Sequence, residues 1–419
     1  MEWLGDVPEH WQIVRTKDIF NHRKEEALED DEIVTAFRDG QVTLRKNRRT
    51  DGFTNSIKEH GYQHINSGDL VIHEMDAFAG AIGVSDSSGK STPVYSVCYA
   101  KNENINHHFY SHFFRTMAKT GFINSLAKGI RVRSTEFRWN ESRNVYLALP
   151  PQIDQQKIVS FLNTETARIA TLIAKQEKLI ELLEEQRKSI ISHAVTKGLN
   201  PNAPMKDSGV EWLGEVPEHW DVKSYRFVSK IYRGKFGHRP RNDPSLYDGE
   251  YPFIQTGDVA RAGKYIQTYS QTLNEKGKAV SQVFTSGTLV MAIAANIGDT
   301  AILNFEAYAP DSVVGFKPHK NIDLEFLRFS FIASLQALEQ TAVQSTQANL
   351  NVERIGALKT TFPPLSEQIE ISNYLNAENE KNNHLISKQN QLIEKLKEYR
   401  ASIISHAVTG KIDVREFGA

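Results

Sequence analysis

Residues 2–11, EWLGDVPEHW, return at 211–220 as EWLGEVPEHW, nine identities in ten positions. A second block, from Pro150 through Thr196, returns from Pro363 through Thr409 at a constant offset of 213, with 25 of 47 positions identical and SIISHAVT closing both copies. Self-similarity at a fixed period means that one structural unit is duplicated, and this fixes the architecture before any propensity is weighed. Between the blocks the likeness weakens but keeps its order. SGDLV at 67–71 answers SGTLV at 286–290, and VRSTEFRWN at 132–140 answers VQSTQANLN at 343–351. The 419 residues are two copies of a unit of about 210, each a variable globular part followed by a helical part.

The helical part carries apolar residues at spacings of three and four from about 154 to 196, including Ile158, Leu162, Ile169, Ile173, Ile180 and Ile191, with Lys, Glu, Gln and Arg on the other faces. That is one apolar stripe on a long helix. Pro150 and Pro151 precede it, and Gly198 with Pro201 comes after it, so start and stop signals agree. Forty helical residues reach about 60 Å, more than a domain of this size needs to cover its own core. The two helices are therefore expected to pack as an antiparallel coiled-coil pair with pseudo-twofold symmetry. The expected seam runs through Leu172, Gln176, Leu179 and Leu183 of the first helix and Leu385, Gln389, Leu392 and Leu396 of the second, with Gln176 facing Gln389 near the axis.

The globular parts mix short strand-type runs, such as 69–73, 93–99, 288–293 and 311–316, with helical stretches at 107–119 and 324–340. The expected fold class is mixed α/β (α+β). The expected domains are 1–149, the helix 150–200, a second globular domain 201–362 and a second helix 363–419. The first copy begins at Met1 where the second has Val210, which suggests a natural amino terminus somewhat longer than this.

A single cysteine, Cys98, supplies neither an intramolecular disulfide nor a thiolate cluster for zinc. No run of 18 apolar residues exists and the start is polar, so no membrane span or signal peptide is expected, and the chain is placed in the cytoplasm.

Motifs with strict spacing are missing. AIGVSDSSGKS at 81–91 imitates a phosphate-binding loop, but the position that requires glycine holds Val84, and TPVYSVCYA at 92–100 reads as strand where that loop needs a helix. There is no Gly-x-Gly-x-x-Gly, and the two Pro-Pro pairs, LPPQ and FPPL, lack the polar residue of an adenine-methyltransferase turn. No His-x-x-x-His with a glutamate base occurs, and the only Asp-x-Lys is Asp221-Val222-Lys223. No catalytic centre and no metal site are expected, and no cofactor in this chain.

Net charge is −1, from 50 basic and 51 acidic residues, so excess charge does not announce a nucleic-acid partner. At finer grain it does. Residues 222–242 hold Lys223, Arg226, Lys230, Arg233, Lys235, Arg239 and Arg241 with no acid, interleaved with Tyr225, Phe227, Tyr232 and Phe236. The first copy has Arg45, Lys46, Arg48 and Arg49, then Lys128, Arg131, Arg133 and Arg138. One such run is ordinary solvated surface. Recurring in both copies, and in the divergent parts, they point to contact with double-stranded DNA. Gln344 and Gln347, answering Arg133 and Glu136, are expected to set a difference in base preference between the copies. The competing readings are a coiled-coil scaffold that binds protein without recognising DNA, and a fragment of a fused enzyme that cuts and methylates.

EWLGxVPEHW at a unit start, a variable domain, a PPxxEQ-like lead into a long helix, and an ending RxSIISHAVTGKI resemble the specificity subunit of type I restriction-modification systems. The resemblance covers the whole chain, in family order; LPPQIDQQKI in the first copy departs slightly from it. It implies that each variable domain is a target recognition domain reading one half of a bipartite, asymmetric DNA target, and that the helices set the spacing and recruit partners. The implied partners are two methyltransferase subunits, which carry S-adenosylmethionine, and restriction subunits driven by ATP and Mg. By this resemblance the chain is not itself an enzyme.

Overall fold

The computed structural model describes residues 4–48, 60–126, 137–342 and 352–417, the side chains of 340–342 excepted. The chain forms two compact units, Met1–Gln176 with Asn390–Ala419, and Glu177–Gln389. These cut across the segments expected in chain order. The long helices run Gln152–Lys197 and Leu365–Val408, 46 and 44 residues, and each unit holds the start of one with the end of the other.

In the first unit, strand Gln12–Arg15 pairs antiparallel with Tyr146–Leu149, the strand that leads into the first long helix. Inside this frame lies an antiparallel sheet in the order Phe20–His22, Tyr95–Ala100, Leu70–His73, Ile82–Val84. Leu70, Val71 and Ile72 are all buried, because both faces of the sheet are covered and a strand with two covered faces reads as a continuous apolar run. Leu70, Ile72 and Cys98 face the helix His107–Lys119 in one core, whereas Val71 and Val97 face a second core under the pair Val34–Ala36 and Val42–Leu44.

The second unit repeats this plan. Asp221–Ser224 pairs with Lys359–Phe362, and the sheet order is Ser229–Arg233, Val313–Pro318, Leu289–Ala292, Thr300–Ile302. Leu289 and Met291 join the core under helix Leu324–Ala342, and Val290 the core on the opposite face. The copies diverge in the outer layer. The first has two separate pairs, Val34–Ala36 with Val42–Leu44 and Gln63–Ile65 with Gly89–Ser91; the second has one sheet of four, Gln271–Leu273, Tyr247–Phe253, Ala307–Ala309, Gln282–Phe284.

Each long helix starts from the same lock. Gln155, buried, accepts from the Asn106 backbone N–H at 2.8 Å and donates to the carbonyls of Asn104 and Pro150 at 3.1 and 2.9 Å. Gln368 accepts from Asp323 N–H at 2.9 Å and donates to Asn321 and Pro363 at 3.1 and 2.8 Å. One residue earlier, Trp11 Nε1 donates to Asp154 Oδ2 at 3.3 Å and His10 Nε2 lies 2.8 Å from it; Trp220 and His219 hold Glu367 at 2.9 and 2.7 Å. These contacts explain why EHW and PPxxxQ survive in both copies.

Within each unit the helices run antiparallel. Ile158, Val159 and Leu162 share a core with Ala407 and Val408 in the first unit, and Ile191, Ala194 and Val195 share one with Ile371 and Leu375 in the second. The SIISHAVT ends are thus core-forming. The inward stripe coincides with half of the expected seam and runs one residue beside the other half. Buried or half-buried positions along the first helix are Ile169, Ile173, Gln176, Ile180, Leu183, Arg187, Ile190 and Ala194; the same positions of the second, 213 later, are Asn382, Ile386, Gln389, Ile393, Leu396, Arg400, Ile403 and Ala407. The alternating spacing of four and three is a heptad stripe. Gln176, Leu183, Gln389 and Leu396 lie on it. Leu172 is half-buried just outside it, and Leu179, Leu385 and Leu392 are exposed by 39 %, 44 % and 41 %. Two adjacent apolar columns compete for one narrow seam, and residue type alone does not choose between them.

Candidate DNA interface

In the first domain Arg38, Arg45 and Arg48 line a cleft of about 600 Å³ together with Thr35, Phe37, Asp39, His73, Asp76 and Tyr95. The hairpin Val34–Leu44 builds it. Its turn closes with Phe37 N–H donating to Gln41 at 2.8 Å, and Gly40 sits at φ +94°. The turn lies hard against the sheet edge: a Cβ on Gly83 would come within 2.0 Å of the Gly40 carbonyl oxygen, so glycine is required there.

Each described cation of this cluster has an intrachain partner. Arg45 Nε donates to Thr35 Oγ1 at 3.2 Å. Lys46 pairs with Glu32 at 2.5 Å, Arg38 with Asp76 at 3.0 Å, and Arg48 with Asp39 at 2.8 Å while its guanidinium lies 4.2 Å above the Phe37 ring. Such exposed pairs contribute little stability, about 0–1 kcal/mol each. They do orient the guanidinium groups, and a phosphate or base edge can replace the carboxylate. Arg138 is exposed and precedes the short helix Trp139–Ser142. Arg49, Arg131 and Arg133 lie outside the described residues.

In the second domain Arg233 and Arg241 converge on Asp311, Arg233 Nε donating to its carbonyl at 2.6 Å and Arg241 to its carboxylate at 2.6 and 2.7 Å. Arg239 donates to the carbonyls of Phe236 and His238 at 3.0 and 2.9 Å, and Lys235 is exposed. Gly234 permits this convergence, because a Cβ there would meet the Pro310 carbonyl oxygen at 2.1 Å. Gln344 and Gln347 lie outside the described residues.

Among the described residues no group of His, Cys, Asp and Glu could hold a metal ion, and no helix is long and apolar enough to cross a membrane. Cys98 is buried and its thiol is pushed far up by desolvation, which leaves it inert. The acid–Trp–His clamps and the buried glutamines escaped sequence reasoning, although Asp154/Glu367 and Gln155/Gln368 recur at the common offset of 213.

Two copies of one sandwich-like domain, alike in the inner sheet and different in the outer layer, are each tied to a long helix. The family model for the type I restriction modification DNA specificity domain matches residues 8–182 and 217–395, and the chain belongs to that family. DNA sequence recognition is the function of this family, and a protein scaffold without DNA is not favoured. The type I restriction enzyme MjaVIII specificity subunit of Methanocaldococcus jannaschii is 23 % identical, over 98 % of this chain and 94 % of its own length. A chain from a structural study of complex assembly and conformational transition of the type I R-M system matches with a TM-score of 0.72 at 16 % identity, covering 97 % of this chain and 100 % of its own. The HsdS subunit of Thermoanaerobacter tengcongensis matches with a TM-score of 0.56 at 17 % identity, covering 97 % and 98 %. At these identities the solved structures establish the fold.

Proposed function

We propose that this chain is the non-catalytic specificity subunit of a type I restriction-modification enzyme, each globular domain reading one half of a bipartite, asymmetric target. The carrying observation is the pattern of divergence. The inner sheets keep one strand order while the outer layers differ, as two readers of different sequences require. Arg38, Arg45 and Arg48 in the first domain, and Arg233, Lys235, Arg239 and Arg241 in the second, fix register on phosphates and reach base edges. Arg49, Arg131, Arg133, Gln344 and Gln347 belong to the same reading.

The long helices set the distance between the halves and carry the docking surfaces for two methyltransferase subunits and for restriction subunits. Gln176 and Gln389, near the helix midpoints, belong to the helix-pair part of this reading. S-adenosylmethionine, ATP and Mg are held by those partners, in the cytoplasm. The test is a gel shift of the full chain with its methyltransferase subunits on duplexes of different sequence. Retention of one sequence over others supports the reading; retention of none, or of all duplexes equally, contradicts it.

A further inference from the structure

In both units an arginine on the inward stripe of a long helix is within electrostatic reach of a second arginine from the domain helix. In the first unit these are Arg400 and Arg115. The Arg115 guanidinium lies across the turn at Gly40, where a Cβ would come within 2.4 Å of its Cζ. Its Nε is buried without a hydrogen-bond partner among the described residues. The like charge of Arg400 disfavours the charged forms of both Arg115 and Lys119, and His112, on the same helix, has Nδ1 buried and unpartnered among the described residues. The acid that offsets Arg115 is Asp39, already bonded to Arg48.

The second unit repeats the arrangement with Arg187, the counterpart of Arg400 at the 213 offset, and Arg328. Both Nε atoms are buried and unpartnered among the described residues. The acid that offsets Arg328 is Glu325, already bonded to Lys264 and Asn376. Arg328 retains one donation, to the Gly263 carbonyl at 2.8 Å, and Arg187 one to Asn383.

Two half-buried guanidinium groups that repel each other, with buried Nε donors unused at Arg115, Arg187 and Arg328, are costly unless an anion completes them. The forked planar donor matches a phosphate. In the first unit the cluster is continuous, through Asp39 and Gly40, with the cleft of Arg38, Arg45 and Arg48. We infer that Arg115 with Arg400, and Arg328 with Arg187, are two equivalent sites for phosphate groups of the DNA backbone, set at the junction of each domain with its long helix. The inference rests on the DNA-recognition reading above, and adds an anchor that is independent of base sequence.

The test uses the purified full chain and a random-sequence duplex, because non-specific binding is governed by phosphate contacts. Affinity is measured across salt concentrations for wild type, Arg115→Gln/Arg400→Gln, Arg187→Gln/Arg328→Gln, and the control Lys178→Gln/Lys397→Gln, which removes the same charge from exposed helix positions. Each arginine pair, holding one phosphate, should lower the slope of log affinity against log salt by about one, roughly 0.9 per phosphate contact, and the control should leave it unchanged. Arg115→Lys/Arg400→Lys should restore most of the slope, which separates lost charge from lost folding. A slope equal to wild type in both arginine variants overturns the inference. So does an unchanged slope with loss of methyltransferase co-purification, which would make the cluster a contact for an acidic protein surface. Sequence preference is read separately by the gel shift, so failure of the phosphate sites leaves that result standing.

Discussion

Trp220 donates its indole N–H to Glu367 Oε2 at 2.9 Å, joining the last residue of the second repeated decapeptide to the first turn of the long helix 147 residues later. The same bond joins Trp11 to Asp154 at 3.3 Å. Beyond each Trp lies the end of the other long helix. A Cβ on Gly198 would meet Trp220 at 3.0 Å, and one on Gly410 would meet Trp11 at 3.1 Å. The repeated words in the sequence are therefore the joints where two helices and a domain meet.

Glu367→Ala leaves the Trp220 N–H without its acceptor in a buried ring. The half-exposed carboxylate limits the loss, so stability of the second unit should fall by about 1–2 kcal/mol. Thermal or urea unfolding of the full chain checks this, and Glu367→Asp should restore part of the loss.

Asn382 occupies the stripe position that Ile169 holds in the first helix, and its Oδ1 is buried without a partner among the described residues while Nδ2 donates to the Leu183 carbonyl at 3.1 Å. A polar residue at such a position fixes register at a cost in stability. Asn382→Ile should raise the melting temperature by a few degrees, and Ile169→Asn should lower it by more.

His112 is held down to about 4 by burial first and then by Arg115, His108 and Lys119. Unfolded, it titrates near 6.5. Between those values the unfolded chain binds a proton that the folded chain refuses, so stability is lost as pH falls from about 6.5 to about 4. Burial also lowers His22, His73 and His107, adding to the same trend. Unfolding measured at neutral pH and near pH 5 should show His112→Gln less acid-sensitive than wild type.

Much of this was legible in the sequence, because a duplicated chain prints its shared contacts twice. The helix His107–Lys119 starts and stops where its spacing predicts, and both long helices lie between their prolines and glycines. Strand order was not legible: Leu70–His73 pairs with Tyr95–Ala100, and no local signal encodes that register. Half of the seam reads one column off because Leu172 and Leu179 stand beside Ile173 and Ile180, while Gln176 and Leu183 lie on the stripe as expected. The Arg115–Arg400 cluster was invisible for the same reason as the sheet order. Its members are 285 residues apart, and only the fold brings their charges together.

A helix rises about 5.4 Å per turn and duplex DNA about 3.4 Å per base pair. Lengthening the first long helix by one turn near Gln176 should therefore shift the preferred spacer by one or two base pairs, with both half-sites unchanged. Methylation-site mapping of the insertion variant reads this directly.

The most direct test of two readers on one frame is a chain in which residues 12–149 are replaced by a second copy of 221–362. Methylated adenines are mapped genome-wide in cells that express it with the methyltransferase subunits, against wild type. The predicted result is a shift from two dissimilar half-sites to two identical ones in inverted orientation. A methylating chimera whose target keeps the wild-type first half would contradict the assignment of one half-site to each domain.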